Sequence, residues 1–156
     1  MEQKYYYYYD SPIGILEIST TEEVLISILY VDEKKENTYK PEILKETIKQ
    51  LEEYFNGDRK EFDIRFKLKG TEFQEKVWNA LTEIPYGDTV SYKYIATRVG
   101  NEKAVRAVGN TNGRNIINIV VPCHRVIGAN KKLTGYGGGL DRKQWLLQHE
   151  EKFSKE

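Results

Sequence analysis

The 156-residue sequence has very little cysteine, histidine or methionine: one Cys, two His and one Met. A single cysteine excludes an internal disulfide, which suits a reducing compartment such as the cytosol or the nucleus. One Cys and two His cannot complete a tetrahedral zinc site without carboxylates. We therefore predict no metal centre.

Long apolar runs are also missing. The sequence contains no stretch of about 18 or more apolar residues, which argues against a membrane span. Residues 1–10 are tyrosine-rich and lack a basic region followed by an apolar one, so we expect no secretory signal. These features predict a cytoplasmic protein, or a nuclear one in a eukaryote, with no membrane partner.

The chain has no net charge, but its charges are unevenly distributed. Residues 1–70 contain 11 basic and 15 acidic residues, whereas residues 71–156 contain 13 and 9. The basic excess lies between Tyr86 and His149, with 10 basic residues against 3 acidic ones. Such a segment indicates either a polyanionic partner or an ordinary solvated surface, and charge alone leaves both open.

The first part of the chain is predicted to be strand-rich. Its strands are expected at Lys4–Tyr9, Ile13–Thr20 and Val24–Val31, which are rich in Ile, Val, Leu and Tyr. The tyrosine run suits a strand with one face buried and the other half-exposed, and base stacking is the alternative. A helix is predicted over about Pro41–Phe55. Residues 62–68 should form a strand or an extended connection.

The second part, after a boundary at Gly70, is predicted to be mostly helical. A capping box at Thr71 begins a helix that runs towards Pro85. Ser91 is predicted to cap a short helix, and Asn101 a second one that ends near Thr111. Two short helices with a tight connection have the form of a helix-turn-helix, although many helix hairpins never contact DNA.

The remaining elements surround the cysteine. Ile116–Val121 is an almost continuous apolar run and is predicted to be a buried strand or extended segment. Residues 128–139 are glycine-rich and should form a loop. A final helix is predicted over Leu140–Glu151, with inward positions at Leu140, Trp145, Leu146 and His149.

The sequence VPCHRVIG at residues 121–128 places the only cysteine beside a histidine and an arginine. A thiol becomes an effective nucleophile when positive charge, a base or a helix N-terminus stabilises its thiolate. Adjacent side chains in extended structure point apart, so Cys123 and His124 would need a turn or a bridging water. Glu150 is a candidate to orient His124. From the residues alone, a structural cysteine is an equal alternative.

The segment Pro122-Cys123-His124-Arg125-Val126-Ile127-Gly128 resembles the active-site signature of the O6-alkylguanine-DNA alkyltransferases, also called methylated-DNA–protein-cysteine methyltransferases. The resemblance covers roughly residues 71–150. Its further ordered matches are IPYG at 84–87, VSY at 90–92, AVRAVG at 104–109, Asn115, Tyr136 and WLLQHE at 145–150.

The resemblance implies an α+β fold in two domains. Residues 1–70 would form a small antiparallel sheet with a helix, ribonuclease-H-like and supporting in role. Residues 71–156 would form a mostly helical, winged-helix or helix-turn-helix-like domain that binds DNA and accepts the alkyl group.

The implied function is direct-reversal DNA repair. An alkyl group on O6 of guanine, or on O4 of thymine, would pass irreversibly from double-stranded DNA to Cys123, and each molecule would react once. No metal or organic cofactor would be needed, and the protein would be a monomer. His124 would deprotonate Cys123 through a water, Glu150 would orient His124, and Asn115 would brace the active-site turn.

Roles in DNA and base binding follow from the same resemblance. Tyr92 would donate a proton to the guanine ring and crowd a phosphate, while Arg106 would fill the gap left by a flipped nucleotide. Backbone carbonyls of Cys123 and Val126 would accept the guanine amino group. The implied DNA-binding set further contains Ser91, Ala107, Gly109 and Arg125, and the implied pocket further contains Asn118, Tyr136 and Gly137.

Two departures from the family pattern concern this pocket. Gly137 stands where many relatives have a serine whose backbone N–H binds O6, and glycine keeps that N–H. Ile116 and Asn118 replace prolines, which would reshape the pocket wall. The range of alkyl groups accepted therefore stays open.

Other functions fit parts of the sequence. The main alternative is a non-catalytic alkyltransferase-like protein that binds lesions, but that group lacks the acceptor cysteine present here. A cysteine hydrolase would need an oxyanion hole and repeated turnover, for which the sequence offers only a Cys–His pair. A helix-turn-helix regulator would leave Tyr92, Asn115 and Glu150 without a purpose.

Overall fold

The computed structural model describes residues 2–128 and 135–155. The chain divides into two compact units between Leu68 and Lys69. No helix in these described ranges is both long enough and apolar enough to cross a membrane. The first unit contains strands β1 (Tyr5–Ser11), β2 (Gly14–Thr20) and β3 (Leu25–Val31) and helix α1 (Glu42–Phe55). The second contains α2 (Glu72–Thr82), β4 (Val90–Ser91), α3 (Tyr92–Arg98), α4 (Val105–Gly113), a 3-10 turn (Cys123–Arg125), β5 (Val126–Ile127) and α5 (Leu140–Ser154).

The first unit is an antiparallel sheet in the order β1-β2-β3 with α1 packed on it, as the sequence predicts. Ile18 pairs with Tyr7 on one side and Ile28 on the other, and both isoleucines are fully buried. Within the tyrosine run only Tyr8 is buried, and its hydroxyl donates to Glu17 at 2.7 Å. Residues 62–68 form the predicted extended connection, with a single bridge from Phe66 to β3.

The second unit begins with the predicted capping box. Thr71 accepts from the backbone N–H of Gln74, and the Gln74 side chain accepts from the backbone of Thr71. The indole N–H of Trp78 donates to the Thr111 carbonyl at 3.1 Å, which ties α2 to α4. This buried hydrogen bond fixes the position of α4.

The predicted start of α4 at Asn101 is wrong, because that residue belongs to the end of α3. The N–H of Asn101 donates to Ala96 and that of Gly100 to Thr97, at 2.9 and 3.0 Å. With Gly100 at φ +88°, these bonds form the Schellman motif that closes many helices. The chain then turns through residues 101–104, and α4 begins at Val105.

The predicted strand or extended segment over residues 116–121 is also wrong, because these residues form a compact turn. Ile119 has φ +74°, and Val121 N–H donates to the Ile117 carbonyl at 3.1 Å. Asn115 organises this turn: its Oδ1 accepts from Ile117 N–H, and its Nδ2 donates to the Val121 carbonyl, both at 2.9 Å. Local side-chain bonds of this kind compete with strand pairing.

Helix α5 presents a mixed face to the interior. Leu146 and His149 are buried as predicted, and Trp145 is half-buried and stacked on His149 with ring centroids 4.7 Å apart. The predicted inward position of Leu140 is wrong, because this first residue of the helix is 49% exposed. Residues 129–134 of the predicted glycine-rich loop lie outside the described residues.

Candidate active site

Cys123 lies at the start of the 3-10 turn, where it is 3% exposed. Asn115 Nδ2 lies 3.2 Å from the sulfur, so the residue that organises the preceding turn also contacts the thiol. The Cys123 carbonyl accepts from Asn112 Nδ2 at 3.2 Å. Burial raises the pKa of the thiol to about 11, against the lowering effects of Asn115 and the Lys143 charge. The resting group at neutral pH is therefore a thiol, which needs a base to react.

His124, Arg125 and Glu150 form a buried cluster next to this thiol. His124 Nε2 is 2.7 Å from Glu150 Oε2, while Arg125 Nε and Nη2 donate to the two carboxylate oxygens at 2.8 and 3.1 Å. The N–H of Gly87 donates to the same carboxylate at 3.3 Å. Charged groups such as these would be costly to bury unpaired, and the four contacts hold the cluster together as a unit.

The cluster sets the protonation of both of its titratable groups. Burial opposes ionisation of Glu150, but His124 and Arg125 together hold its pKa well below the usual range. Burial also lowers the pKa of His124 from 6.5, despite the neighbouring carboxylate, so the imidazole is neutral at pH 7. With Nε2 bound to a carboxylate, the ring proton belongs on Nε2. Nδ1 is then the basic nitrogen, and it is buried with no hydrogen-bond partner among the described residues.

Arg125 requires a correction to the predicted DNA-binding set. Its side chain is buried, and besides the two bonds to Glu150, its Nη1 donates to the Ile84 carbonyl at 2.7 Å. Each of the three guanidinium nitrogens therefore has a protein acceptor. We assign Arg125 to the internal cluster, because a phosphate contact would require it to leave these buried partners.

The turn before β4 depends on a glycine at position 87. This residue has φ +85°, and a Cβ placed on it would lie 2.7 Å from Cβ of Ser154. Any side chain there would be strained and would collide with α5. The turn at residues 86–88 thus lets α5 approach closely enough for Glu150 to bind the Gly87 N–H.

The helix pair α3–α4 is placed beside the cysteine turn by two short strands. β4 pairs in parallel with β5, with Ser91 opposite Ile127, so α3 begins next to the segment that follows Cys123. Ser91 caps α3 by accepting from Tyr94 N–H at 3.0 Å. The Tyr92 ring lies beside Gly109 of α4: a Cβ placed on Gly109 would be 4.0 Å from the nearest ring carbons. On α4, Arg106 and Ala107 are exposed.

The predicted pocket residues lie on three separate segments of the second unit. Val126 is buried in β5, and its carbonyl accepts from Lys143 Nζ at 2.6 Å. Asn118 is buried in the turn over residues 116–121. Tyr136 is buried ahead of α5, whereas Gly137 is exposed, with its Cβ position 3.8 Å from the Gly113 carbonyl.

Two residues of this region are missed by the sequence reasoning, Asn112 and Lys143. Asn112 is 2% exposed in α4 and holds the Cys123 carbonyl. Lys143 is fully buried, and burial lowers its pKa to about 8, an effect that the neighbouring Cys123 opposes. A spacing of three and seven residues places Lys143 on the same helical face as Leu146 and Glu150, and this signal could have identified it.

A helix-turn-helix pair next to a buried cysteine, a neutral histidine and a fixed carboxylate defines a class of protein: one that binds nucleic acid and uses a cysteine nucleophile. Comparison with known proteins narrows this class. The family described as 6-O-methylguanine DNA methyltransferase matches through its ribonuclease-like domain over residues 4–68 and its DNA binding domain over residues 72–152. The chain belongs to this family, also called the methylated-DNA–protein-cysteine methyltransferases.

Individual relatives are similar along almost the whole chain. The methylated-DNA–protein-cysteine methyltransferase of Mycolicibacterium paratuberculosis is 52% identical over 93% of this chain and 91% of its own length. That of Methanosarcina acetivorans is 50% identical over 94% and 97%. The crystal structure of Mycobacterium tuberculosis O6-methylguanine methyltransferase has a TM-score of 0.87 at 46% identity, covering 96% and 94%. A structure of Mycobacterium tuberculosis OGT in complex with DNA has the same TM-score at 47% identity, covering 95% and 93%. The predicted family and α+β fold are confirmed.

Proposed function

We propose that this protein repairs DNA by direct reversal, taking the alkyl group of O6-alkylguanine onto Cys123 in one irreversible turnover. The observation that carries the proposal is the setting of Cys123, a buried thiol held by Asn115 beside the His124–Glu150–Arg125 cluster. The family membership supports the same activity. O4-alkylthymine is proposed as a second substrate.

The substrate must leave the helix before it can react. O6 of guanine faces the partner base in a duplex, so the nucleotide has to be flipped into the pocket at a cost of a few kcal/mol. Arg106 offsets this cost by filling the gap, and it is exposed near the start of α4 as that role requires. Ser91, Ala107 and Gly109 line the same helix pair. Ala107 and Gly109 are small, which lets α4 approach the DNA closely.

Reaction begins with deprotonation of the thiol. Nδ1 of His124 takes the proton of Cys123 through a water, because Nε2 is committed to Glu150. Glu150 stays anionic beside Arg125, so it favours the imidazolium that forms. Asn115 donates to the sulfur and stabilises the developing thiolate.

Alkyl transfer then follows as an in-line displacement. The Cys123 sulfur forms a bond to the alkyl carbon, the bond from that carbon to O6 breaks, and its electron pair passes to the guanine. Tyr92 donates a proton to the guanine ring and recovers one, by way of solvent, from the His124 imidazolium. The products are an S-alkyl cysteine and unmodified guanine, and the thioether cannot be turned over.

The two units have different proposed roles. Residues 71–156 bind DNA and carry the acceptor, and residues 1–70 support them. Val126, Asn118, Tyr136 and Gly137 are proposed to line the guanine pocket. We further propose that the protein is monomeric, acts in the cytoplasm or, in a eukaryote, the nucleus, and uses neither a metal nor an organic cofactor.

The deciding experiment is intact-protein and peptide mass spectrometry after incubation with duplex DNA containing O6-methylguanine. We expect the mass of one methyl group on the peptide that holds Cys123, at one equivalent per protein. Tight binding to the lesion without any mass gain would favour the alternative, a non-catalytic lesion-binding protein. Duplex DNA with unmodified guanine is the control.

Substitution of Arg106 by alanine should slow repair of duplex DNA by at least about tenfold, because flipping then costs the few kcal/mol of unstacking without compensation. Reaction with the free base O6-methylguanine should change little, since no nucleotide is flipped. Single-turnover rates on both substrates measure the difference. Lys49→Ala, an exposed charge on α1, controls for net charge. Equal losses on both substrates would contradict an inserting arginine.

A further inference from the structure

Asn112 is a buried amide whose oxygen the proposed mechanism does not use. The residue is 2% exposed near the end of α4, and its Nδ2 donates to the Cys123 carbonyl at 3.2 Å. This bond decides which way the amide faces, because two oxygens placed together would repel each other. Its Oδ1 is buried and has no hydrogen-bond partner among the described residues. A buried acceptor left unpaired is costly, so this one indicates a donor that arrives with a ligand.

The face of α4 that carries Asn112 borders the proposed guanine pocket. Residues 109, 112 and 113 lie on one side of the helix, because positions three and four apart are neighbours. At one end of this face, a Cβ placed on Gly109 would lie 4.0 Å from the ring of Tyr92, the proposed proton donor. At the other end, the Gly113 carbonyl lies 3.8 Å from the Cβ position of Gly137, a proposed pocket residue. Asn112 lies between these two contacts.

The carbonyl of Cys123 already has two donors. Besides Nδ2 of Asn112, the backbone N–H of Val126 donates to it. A carbonyl oxygen has two lone pairs, so both are occupied before any base enters the site. The resemblance to the alkyltransferases implies that this carbonyl accepts the guanine amino group. In this chain, Oδ1 of Asn112 belongs to the amide that holds the carbonyl, and it still has the capacity to accept.

We propose that Asn112 is a specificity-determining residue whose Oδ1 accepts a hydrogen bond from the 2-amino group of the flipped guanine. The inference rests on the function proposed above. Guanine carries its amino group on the same edge as O6, so a base whose alkyl group meets the sulfur presents that donor close to Cys123. The bond from Nδ2 to the Cys123 carbonyl keeps the amide from turning, so Oδ1 remains the acceptor.

An acceptor fixed in this way selects among alkylated bases. A site built to bind an N–H group rejects an analogue that lacks it, because the buried acceptor then stays unpaired in the complex. O6-methylhypoxanthine is such an analogue, since it differs from O6-methylguanine only in having hydrogen in place of the 2-amino group. The methyl group to be transferred is the same in both bases.

The experiment is single-turnover methyl transfer, with DNA below saturation, from duplexes of one sequence that contain either O6-methylguanine or O6-methylhypoxanthine. We expect the wild type to react faster with O6-methylguanine. Asn112→Ala should lower this preference about fivefold to tenfold, the effect of one buried hydrogen bond. Asn79→Ala, at an exposed asparagine of α2, should keep the wild-type preference. The two bases differ in the cost of flipping, but that difference is common to all three proteins and cancels.

The outcomes separate this inference from the proposed function. A wild type that transfers no methyl group from either duplex contradicts the function itself. An Asn112→Ala variant that loses the same factor in rate on both duplexes overturns the role of Asn112 in base selection. The side chain would then only support the cysteine turn through the Cys123 carbonyl.

A second measurement leaves Asn112 unchanged. The Cys123→Ser protein is expected to bind methylated DNA without reacting, so NMR can follow the side-chain carbonyl carbon of Asn112 in its complexes. A new hydrogen bond at Oδ1 should shift this resonance more with O6-methylguanine DNA than with O6-methylhypoxanthine DNA. Equal shifts in the two complexes would overturn the proposal even if Asn112→Ala does not fold.

Discussion

Replacing Cys123 with serine should abolish methyl transfer from O6-methylguanine DNA and leave the affinity for that DNA nearly unchanged. The serine oxygen is smaller than the sulfur it replaces, so it fits the same space and can keep the hydrogen bond from Asn115. Its hydroxyl, however, is a much harder group to ionise than a thiol, and burial makes ionisation harder still. The expected loss is complete within the detection limit of mass spectrometry.

DNA binding by Cys123→Ser can be measured by fluorescence anisotropy on the same methylated duplex, with salt held constant. Because the chain has a single cysteine, the variant has no other thiol to accept the alkyl group. A methyl adduct on any other residue of the variant would show that the acceptor is misassigned. Loss of binding together with transfer would instead indicate misfolding, which circular dichroism distinguishes.

Substitution of Arg125 by methionine should destabilise the fold by about 3–5 kcal/mol at pH 7, because it leaves the carboxylate of Glu150 buried with part of its compensation gone. Glu150 has its pKa held below the unfolded value, so it contributes stability above that value. This contribution is lost as the pH falls towards the folded-state pKa. In the variant, burial raises the pKa of Glu150 unopposed by the guanidinium, so the difference in stability should shrink below about pH 4.

Urea denaturation of wild type and variant at pH 7 and at acidic pH measures this effect. Arg98→Met is a suitable control, since Arg98 pairs with Glu83 at the surface with both side chains about half exposed. Loss of that pair should cost at most about 1 kcal/mol. An Arg125→Met protein no less stable than Arg98→Met would contradict a structural role for the buried cluster.

The elements of this fold follow from local patterns wherever a local rule decides the structure. Alternating apolar residues place β1 to β3, and the capping residues Thr71 and Ser91 place the starts of α2 and α3. The start of α4 could not be placed this way. Asn101 is a residue type that often caps helix N-termini, but here its backbone N–H closes the end of α3 instead. The sequence alone does not show which of the two helices Asn101 belongs to.

The candidate site shows the same division. The cysteine motif predicts a nucleophile with a base and a carboxylate, and the structure brings Cys123, Asn115, His124 and Glu150 together. It could not predict that Arg125 faces inward, because an arginine beside a cysteine suits a phosphate contact as well as an internal ion pair. The apolar run at 116–121 misleads for a related reason: its conformation is decided by the Asn115 side chain.

Helix α5 makes the surroundings of the cysteine depend on residues synthesised after it. Lys143 and Glu150 lie on one face of this helix, about two turns apart, and bind Val126 and His124, one on either side of Arg125 in the sequence. A nascent chain that has emerged only as far as Cys123 contains neither charge. His124 gains its carboxylate partner only when α5 folds onto the completed turn, so the buried surroundings of Cys123 are complete only after the rest of the domain has been synthesised.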